Sequence, residues 1–257
     1  RKVQPDPDKI LSSGLAALVN AKIPKPAATS PPSLIQQYSL EQVEAEMNRR
    51  NRNRLVTWFP DTGPFRRELY PKHMRFFSAG REHKERLFLA ANRTGKSIAG
   101  GYELTSHATG IYPSWWEGRV FNEPVTCWAL NKTSFDCRDI NQQVLLGEPG
   151  QHGTGMIPAH LLIDTKPRHS IPHAVEIIYV KHRTGGQSVI YLKAYESGRE
   201  KFQGRAIHVI WADEEIPADI YSECLMRIMT TEGIIYCTFT PLLGLTPVTM
   251  DFLTNAV

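Results

Sequence analysis

The stretch LFLAANRTGKSIAGG, Leu87 to Gly101, decides how the rest of the chain is read. Gly95-Lys96-Ser97 ends the phosphate-loop pattern of Gly, four residues, then Gly-Lys-Ser or Gly-Lys-Thr, but Ala90 stands where the first glycine belongs. The more demanding glycine is kept. Gly95 lies beside Lys96, where the backbone approaches a phosphate most closely, whereas Ala90 falls at the end of an apolar run, where a methyl group is tolerated. RLFLAA (86–91) has the composition of a buried strand, Asn92 to Gly95 that of a tight polar turn, and Lys96 opens a helical stretch. In that context backbone N–H groups and a helix N-terminus form an anion cradle. The nucleotide-binding candidates are therefore Ala91, Asn92, Arg93, Thr94, Gly95, Lys96 and Ser97, with Lys96 on the β and γ phosphates and the Ser97 hydroxyl on Mg²⁺. Taken alone, the stretch also fits a plain strand-to-helix turn carrying a lone lysine.

Working outward, short apolar runs alternate with helical stretches, the pattern of a mainly parallel sheet flanked by helices. Besides RLFLAA the runs are PVTCWAL (124–130), AIHVIWA (206–212) and GIIYCTFT (233–240). KSIAGGYELTSHAT, TSFDCRDINQQVLL and PADIYSECLMRIMTT between them are expected as helices. AVEIIYVKHRTGGQSVIYLKAYE alternates over two runs around Thr184-Gly185-Gly186, which predicts an antiparallel hairpin insertion. Upstream, SLEQVEAEMNRRNRNRL opens with Ser39 and Gln42 in capping-box spacing and predicts a helix ending before Phe59-Pro60. The expected organisation is a Pro-rich arm over 1–33, a helical extension over 34–85 and an α/β core over 86–257.

A second element turns the loop into chemistry. AIHVIWADEE is an apolar run ending in acids, and such strands deliver carboxylates to the C-terminal edge of a parallel sheet. Asp213 is placed to hold Mg²⁺, and Glu214 to orient and deprotonate an attacking water. An Asp at a strand end is often only a helix cap, but an Asp-Glu pair combined with the loop points to ATP hydrolysis. GIIYCTFTP then supplies Thr238 and Thr240 at the end of another buried run, expected beside the γ-phosphate.

Composition excludes several other classes. The 257 residues are 41% hydrophobic and 22% charged, ordinary for a globular protein, and no apolar run is long enough to span a bilayer. The four cysteines show no paired spacing and are expected as reduced core residues; all but Cys137 sit in apolar surroundings. His169 and His173 are separated by Pro172, against a helical metal site. Asn131-Lys132 is followed by Ser134 where a guanine-reading motif has Asp, so a GTP switch is set aside. GEPGQHGTGMIP lacks the third glycine of a dinucleotide fingerprint and is expected as a flexible loop. Net charge is only +4, but basic residues crowd the span from Arg49 to Arg86, which suits a phosphate-facing patch or a solvated helix face.

AANRTGKS, WADEEIP and TFTPLLG, in this order, resemble the ATPase domain of the large terminase subunit of tailed bacteriophages, over roughly residues 40–250. The resemblance implies a P-loop NTPase fold of the ASCE type and a motor that moves double-stranded viral DNA into a procapsid. It makes Ala90 to Ser97 the Walker A loop, Asp213 and Glu214 the Walker B aspartate and catalytic glutamate, and Thr238 to Thr240 the coupling motif. LYPKHMRFFSAG resembles the adenine-contacting segment, with Tyr70 or His73 as candidates in place of the more usual glutamine. An arginine is required near the γ-phosphate. Arg93 is the candidate in cis, and Arg199 or Arg205 the candidates from a neighbouring subunit.

The implied cofactors are ATP and Mg²⁺. The implied partners are double-stranded DNA, the portal protein of the procapsid and the small terminase subunit, with a homo-oligomeric ring on the portal and a monomer in isolation. No membrane association is expected, and the setting is the host-cell cytoplasm. Complete members of the family continue into a nuclease domain, and no nuclease activity is expected from these residues. The rival reading is a helicase-like nucleic-acid-dependent ATPase, which needs a second RecA-like domain.

Overall fold

The computed structural model describes residues 39–51, 54–242 and 244–254, so the arm expected over 1–33 lies outside the described residues. The chain divides into the units Arg1–Val43 and Glu44–Val257, and the site lies in the second. Helix α1 (Leu40–Asn51) starts with the capping box expected from its sequence: the Ser39 amide donates to Gln42 Oε1 at 2.9 Å and the Gln42 amide to Ser39 Oγ at 3.2 Å.

Seven strands form one sheet: β1 (Glu85–Leu89), β2 (Thr126–Asn131), β3 (Leu162–Pro167), β4 (Val175–Lys181), β5 (Gln187–Ala194), β6 (Val209–Asp213) and β7 (Ile234–Phe239), in the spatial order β1-β7-β6-β2-β5-β4-β3. β1, β7, β6, β2 and β5 are mutually parallel, and β4 and β3 close the far side antiparallel. The strand carrying Thr238 thus lies between the one that enters the phosphate loop and the one that ends at Asp213. The β4–β5 hairpin forms as expected, but it is not a side insertion: β5 pairs with β2 inside the parallel sheet. β3 had no clear sequence signal. It is an edge strand with a mostly exposed pattern, so neither alternation nor an apolar run marks it.

Helix α2 (Pro71–Ala79) precedes β1, and α3 (Lys96–Thr109) follows the loop. Residues 134–146 form α4, which widens into a π-helical segment at Cys137–Gln142; α5 (Ala218–Met229) and α6 (Pro247–Thr254) flank β7 in sequence. Along β6 and β7 successive side chains enter opposite cores. Trp211 and Tyr236 pack on the α3 side, while Ile210, Ala212, Ile235 and Cys237 face the other. Both faces are dry, which is why these strands read as unbroken apolar runs. The α3 side is close-fitting: a Cβ on Gly100 would sit 2.2 Å from Trp211 Nε1, so only glycine lets the helix approach.

All four cysteines are free and buried. Cys137 is as dry as the others, with its thiol against the Lys193 carbonyl at 3.2 Å. The glycine-rich loop after α4 is held rather than loose, since the amides of Gly153, Met156 and Ile157 donate to the carbonyls of Leu146, Val144 and Leu145. Within the basic span, Arg86 is buried and paired with Glu103, whereas Lys72, Arg75, Arg81 and Lys84 remain exposed. No helix among the described residues is long and apolar enough to cross a membrane.

Candidate active site

The loop between β1 and α3 is built on two left-handed residues. Gly95 has φ 85°, which lets it turn the chain into the N-terminus of α3, and Arg93 has φ 61°, an unusual conformation for a residue with a side chain. His73 lies beneath the loop: it is buried, packs edge-on against Phe88 and Tyr70, and its Nε2 lies 3.3 Å from where a Cβ on Gly95 would be. Burial lowers its pKa against the pull of the Thr94 and Gly95 backbone, so the ring is neutral at physiological pH. Tyr70 is half-buried and meets Phe59 and His73 edge-on, at 5.4 and 5.3 Å between ring centres. The geometry thus gives both residues a role in supporting the loop.

The end of β7 meets the loop directly. Lys96 Nζ donates to Thr240 Oγ1 at 2.9 Å and to the Ala91 carbonyl at 2.8 Å, while Thr240 is also bonded to the Ala90 carbonyl and Asn92 Oδ1. Thr94 closes the turn on the same Ala91 carbonyl at 2.8 Å. Burial lowers the Lys96 pKa, opposed by the carboxylates of Glu214 and Asp213.

Ser97 Oγ donates to the Asp213 carboxylate at 2.9 and 3.2 Å, and Thr238 Oγ1 donates to Asp213 Oδ1 at 2.7 Å. Trp211 Nε1 in turn donates to Thr238 at 2.8 Å. Thr238, expected beside the γ-phosphate, is instead fully buried and reaches the site through Asp213. Thr238 lies within β7 and points into the core on the α3 side, whereas Thr240 lies just beyond the strand end and so comes to the loop.

Burial pushes the Asp213 carboxyl up to about 7, with Glu214 adding to the shift and Thr238, Ser97 and Lys96 opposing it. Ser97 and Asp213 offer hard oxygen donors at one point, next to a loop shaped for phosphate. That set fits Mg²⁺, which takes one or two protein ligands and completes its shell with water and phosphate oxygens.

The raised pKa carries a stability cost with a definite sign. Between pH about 4 and about 7 the unfolded chain gives up the Asp213 proton while the folded chain keeps it, so this group makes the metal-free protein less stable as pH rises through that window. Asp213→Asn removes the dependence. In chemical denaturation with EDTA the variant is expected to exceed the parent by about 1–3 kcal/mol at pH 8, and by much less at pH 5. A difference that does not grow with pH overturns the assignment.

Glu214 follows at φ 66°, a left-handed residue held by Thr238 and Tyr195. Its amide donates to the Thr238 carbonyl at 3.3 Å, and the Tyr195 hydroxyl donates to the Asp213 and Glu214 carbonyls at 3.2 and 3.3 Å. Such strain in a non-glycine residue persists where the surroundings over-determine it, often at functional sites. Burial raises the Glu214 pKa; Lys96 and Lys132 oppose this, and Asp136 and Glu215 add to it. Glu215 turns away to accept from Thr246 at 2.6 Å, tying the β6 turn to the start of α6.

Of the three arginine candidates only Arg93 lies on the loop. Arg93 is exposed on the loop and makes no hydrogen bond or ion pair among the described residues. Arg199 is paired with the buried Glu223 at 3.1 Å. Arg205 precedes β6 and stacks its guanidinium 4.9 Å from the Tyr191 ring, with a hydrogen bond to that hydroxyl. Conversely, Tyr195, Lys132 and Asp136 belong to the surroundings of Glu214, although only Lys132 had drawn notice in the sequence, and for a different motif. A groove of about 770 Å³ runs along β1 between Phe76, Phe88, Leu225 and Phe252, and contains none of the site residues.

Residues 87–256 match the family described as terminase large subunit, T4likevirus-type, N-terminal. The terminase large subunit of Salmonella phage P22 is 36% identical over 236 residues, covering 84% of this chain and 46% of that protein, so the chain spans about half the length of this curated relative. Among solved structures, the large terminase from the thermophilic bacteriophage D6E in complex with ADP superposes with a TM-score of 0.47 at 10% identity, over 80% of this chain and 42% of that one. With the family match spanning most of the chain, this protein belongs to the N-terminal family of the T4likevirus-type terminase large subunits.

Proposed function

We propose that the chain is the ATP-hydrolysing motor domain of a terminase large subunit, coupling hydrolysis to movement of double-stranded viral DNA into a procapsid. The observation that carries this reading is the convergence of Ser97 with Asp213, from a loop and a strand far apart in sequence, beside a strained Glu214. Ser97 and Asp213 would hold Mg²⁺, which when bound neutralises charge on the phosphate oxygens. Lys96, released from Thr240 and the Ala91 carbonyl, pairs with the β and γ phosphates within the loop's amide cradle. Glu214 takes the proton of a water that attacks the γ-phosphorus as the bond to the ADP oxygen breaks, giving ADP and inorganic phosphate. Arg93 is the one arginine candidate carried by the phosphate loop itself, and it is free to turn toward the γ-phosphate.

Thr240 supports a coupling role, because it ties the end of β7 to the lysine that nucleotide must claim. DNA, the portal of a procapsid and the small terminase subunit are the partners this reading implies, with a ring forming on the portal in the host cytoplasm.

The test is steady-state phosphate release from ATP with Mg²⁺. Turnover is expected to vanish with EDTA, and Lys96→Ala is expected to weaken nucleotide binding about ten- to hundredfold, the loss of a charge-assisted contact. Unchanged binding and turnover in Lys96→Ala would sink the proposal, and unwinding of duplex DNA by the domain alone would favour a helicase.

A further inference from the structure

The turn that follows β5 bonds to both backbone segments around Glu214. Tyr195 is buried at the end of that strand, and its hydroxyl reaches the carbonyls of Asp213 and Glu214. The next residue turns the other way: the Glu196 amide donates to the Lys132 carbonyl at 3.2 Å, and Glu196 Oε1 accepts from the Ser134 amide at 2.7 Å. Lys132 and Ser134 bracket the start of α4, whose first turn is closed by the reciprocal Thr133–Asp136 cap. Lys132 and Asp136 are also charges that act on Glu214. Two adjacent residues of the turn after β5 thus hold the backbone of Glu214 on one side and the charged loop that faces it on the other.

We infer that Tyr195 and Glu196 form a clamp that positions Glu214 for its work on the attacking water. The inference rests on the reading of Glu214 as the base. Their hydrogen bonds go to the backbone around Glu214 and the start of α4, so both are positioning residues acting through Glu214. Left-handed backbone is unfavourable for glutamate, and without the Tyr195 hydroxyl the turn can relax toward ordinary dihedrals, swinging the carboxylate off its line. A displacement of about 1 Å costs on the order of a hundredfold in rate. Binding is spared, because the loop, Lys96 and Ser97 are held by other contacts.

The experiment compares Tyr195→Phe, Glu196→Ala, Glu214→Gln and the double variant Tyr195→Phe/Glu214→Gln in ATP turnover, with Kd for a fluorescent ADP analogue measured alongside. Tyr195→Phe is expected to lower kcat about ten- to hundredfold with KM and Kd within about twofold of the parent. Glu196 is exposed, and Glu196→Ala is expected to lower kcat about three- to tenfold in the same pattern. The double variant is expected to turn over no more slowly than Glu214→Gln, since the hydroxyl has nothing left to position. Parental kcat in both Tyr195→Phe and Glu196→Ala overturns the clamp, as does a further loss in the double variant. Parental turnover in Glu214→Gln overturns instead the reading of the base, and the two failures are thereby told apart.

Discussion

Glu214→Gln is expected to slow ATP hydrolysis by about 10²–10⁴-fold while leaving nucleotide affinity within about twofold of the parent. The amide keeps the size of the side chain and cannot accept a proton, so only the step that needs a base suffers. The left-handed turn is held by backbone contacts to Thr238 and Tyr195, and these survive the substitution. The phosphate side is also untouched, since Lys96 is bonded to Thr240 and the Ala91 carbonyl and Ser97 to Asp213. Single-turnover phosphate release with a parallel binding titration reads both quantities. A variant that turns over at the parental rate would show that the proton leaves by another route.

The second large effect concerns stability. Glu103, fully buried on α3, accepts from Arg86 at 2.5 and 3.1 Å and lies 3.3 Å from His107 Nε2. The Arg86 guanidinium also donates to the Phe76 carbonyl at 2.7 Å and lies over the rings of Phe76 and Tyr236. Burial alone would raise the Glu103 pKa, but Arg86 and His107 outweigh it and hold the carboxyl below the usual range; burial keeps His107 itself neutral. The pair is thus ionised inside the core.

Glu103→Ala leaves the guanidinium charged without its partner and is expected to cost about 3–5 kcal/mol in chemical denaturation. Replacing both partners, as in Arg86→Met/Glu103→Leu, is expected to recover much of that loss, because no unpaired charge remains. If Glu103→Ala costs less than about 1 kcal/mol, the pair is not holding the middle of α3 against the start of β1.

The apolar runs were visible because the parallel strands are dry on both faces: Val209 to Ala212 and Ile234 to Cys237 leave no polar position to interrupt them. The phosphate loop and the acids at the end of β6 were visible for a related reason. Each is a short contiguous string whose chemistry depends on local spacing. Edge strand β3 escaped because an exposed edge imposes no pattern on its residues.

The sequence by itself determined the α/β alternation, the loop with Gly95 at its closest approach, and the order of the functional strings. Tertiary structure alone decided how those strings meet. Placing β7 between β1 and β6 sends Thr240 to Lys96 and Thr238 to Asp213, two different tasks for two threonines of one motif. It also brings Tyr195 and Glu196, in the turn after β5, to the turn at Glu214, and seats His73 under the loop. These outcomes depend on strand order and side-chain direction, which arise from long-range pairing and leave no trace in local spacing.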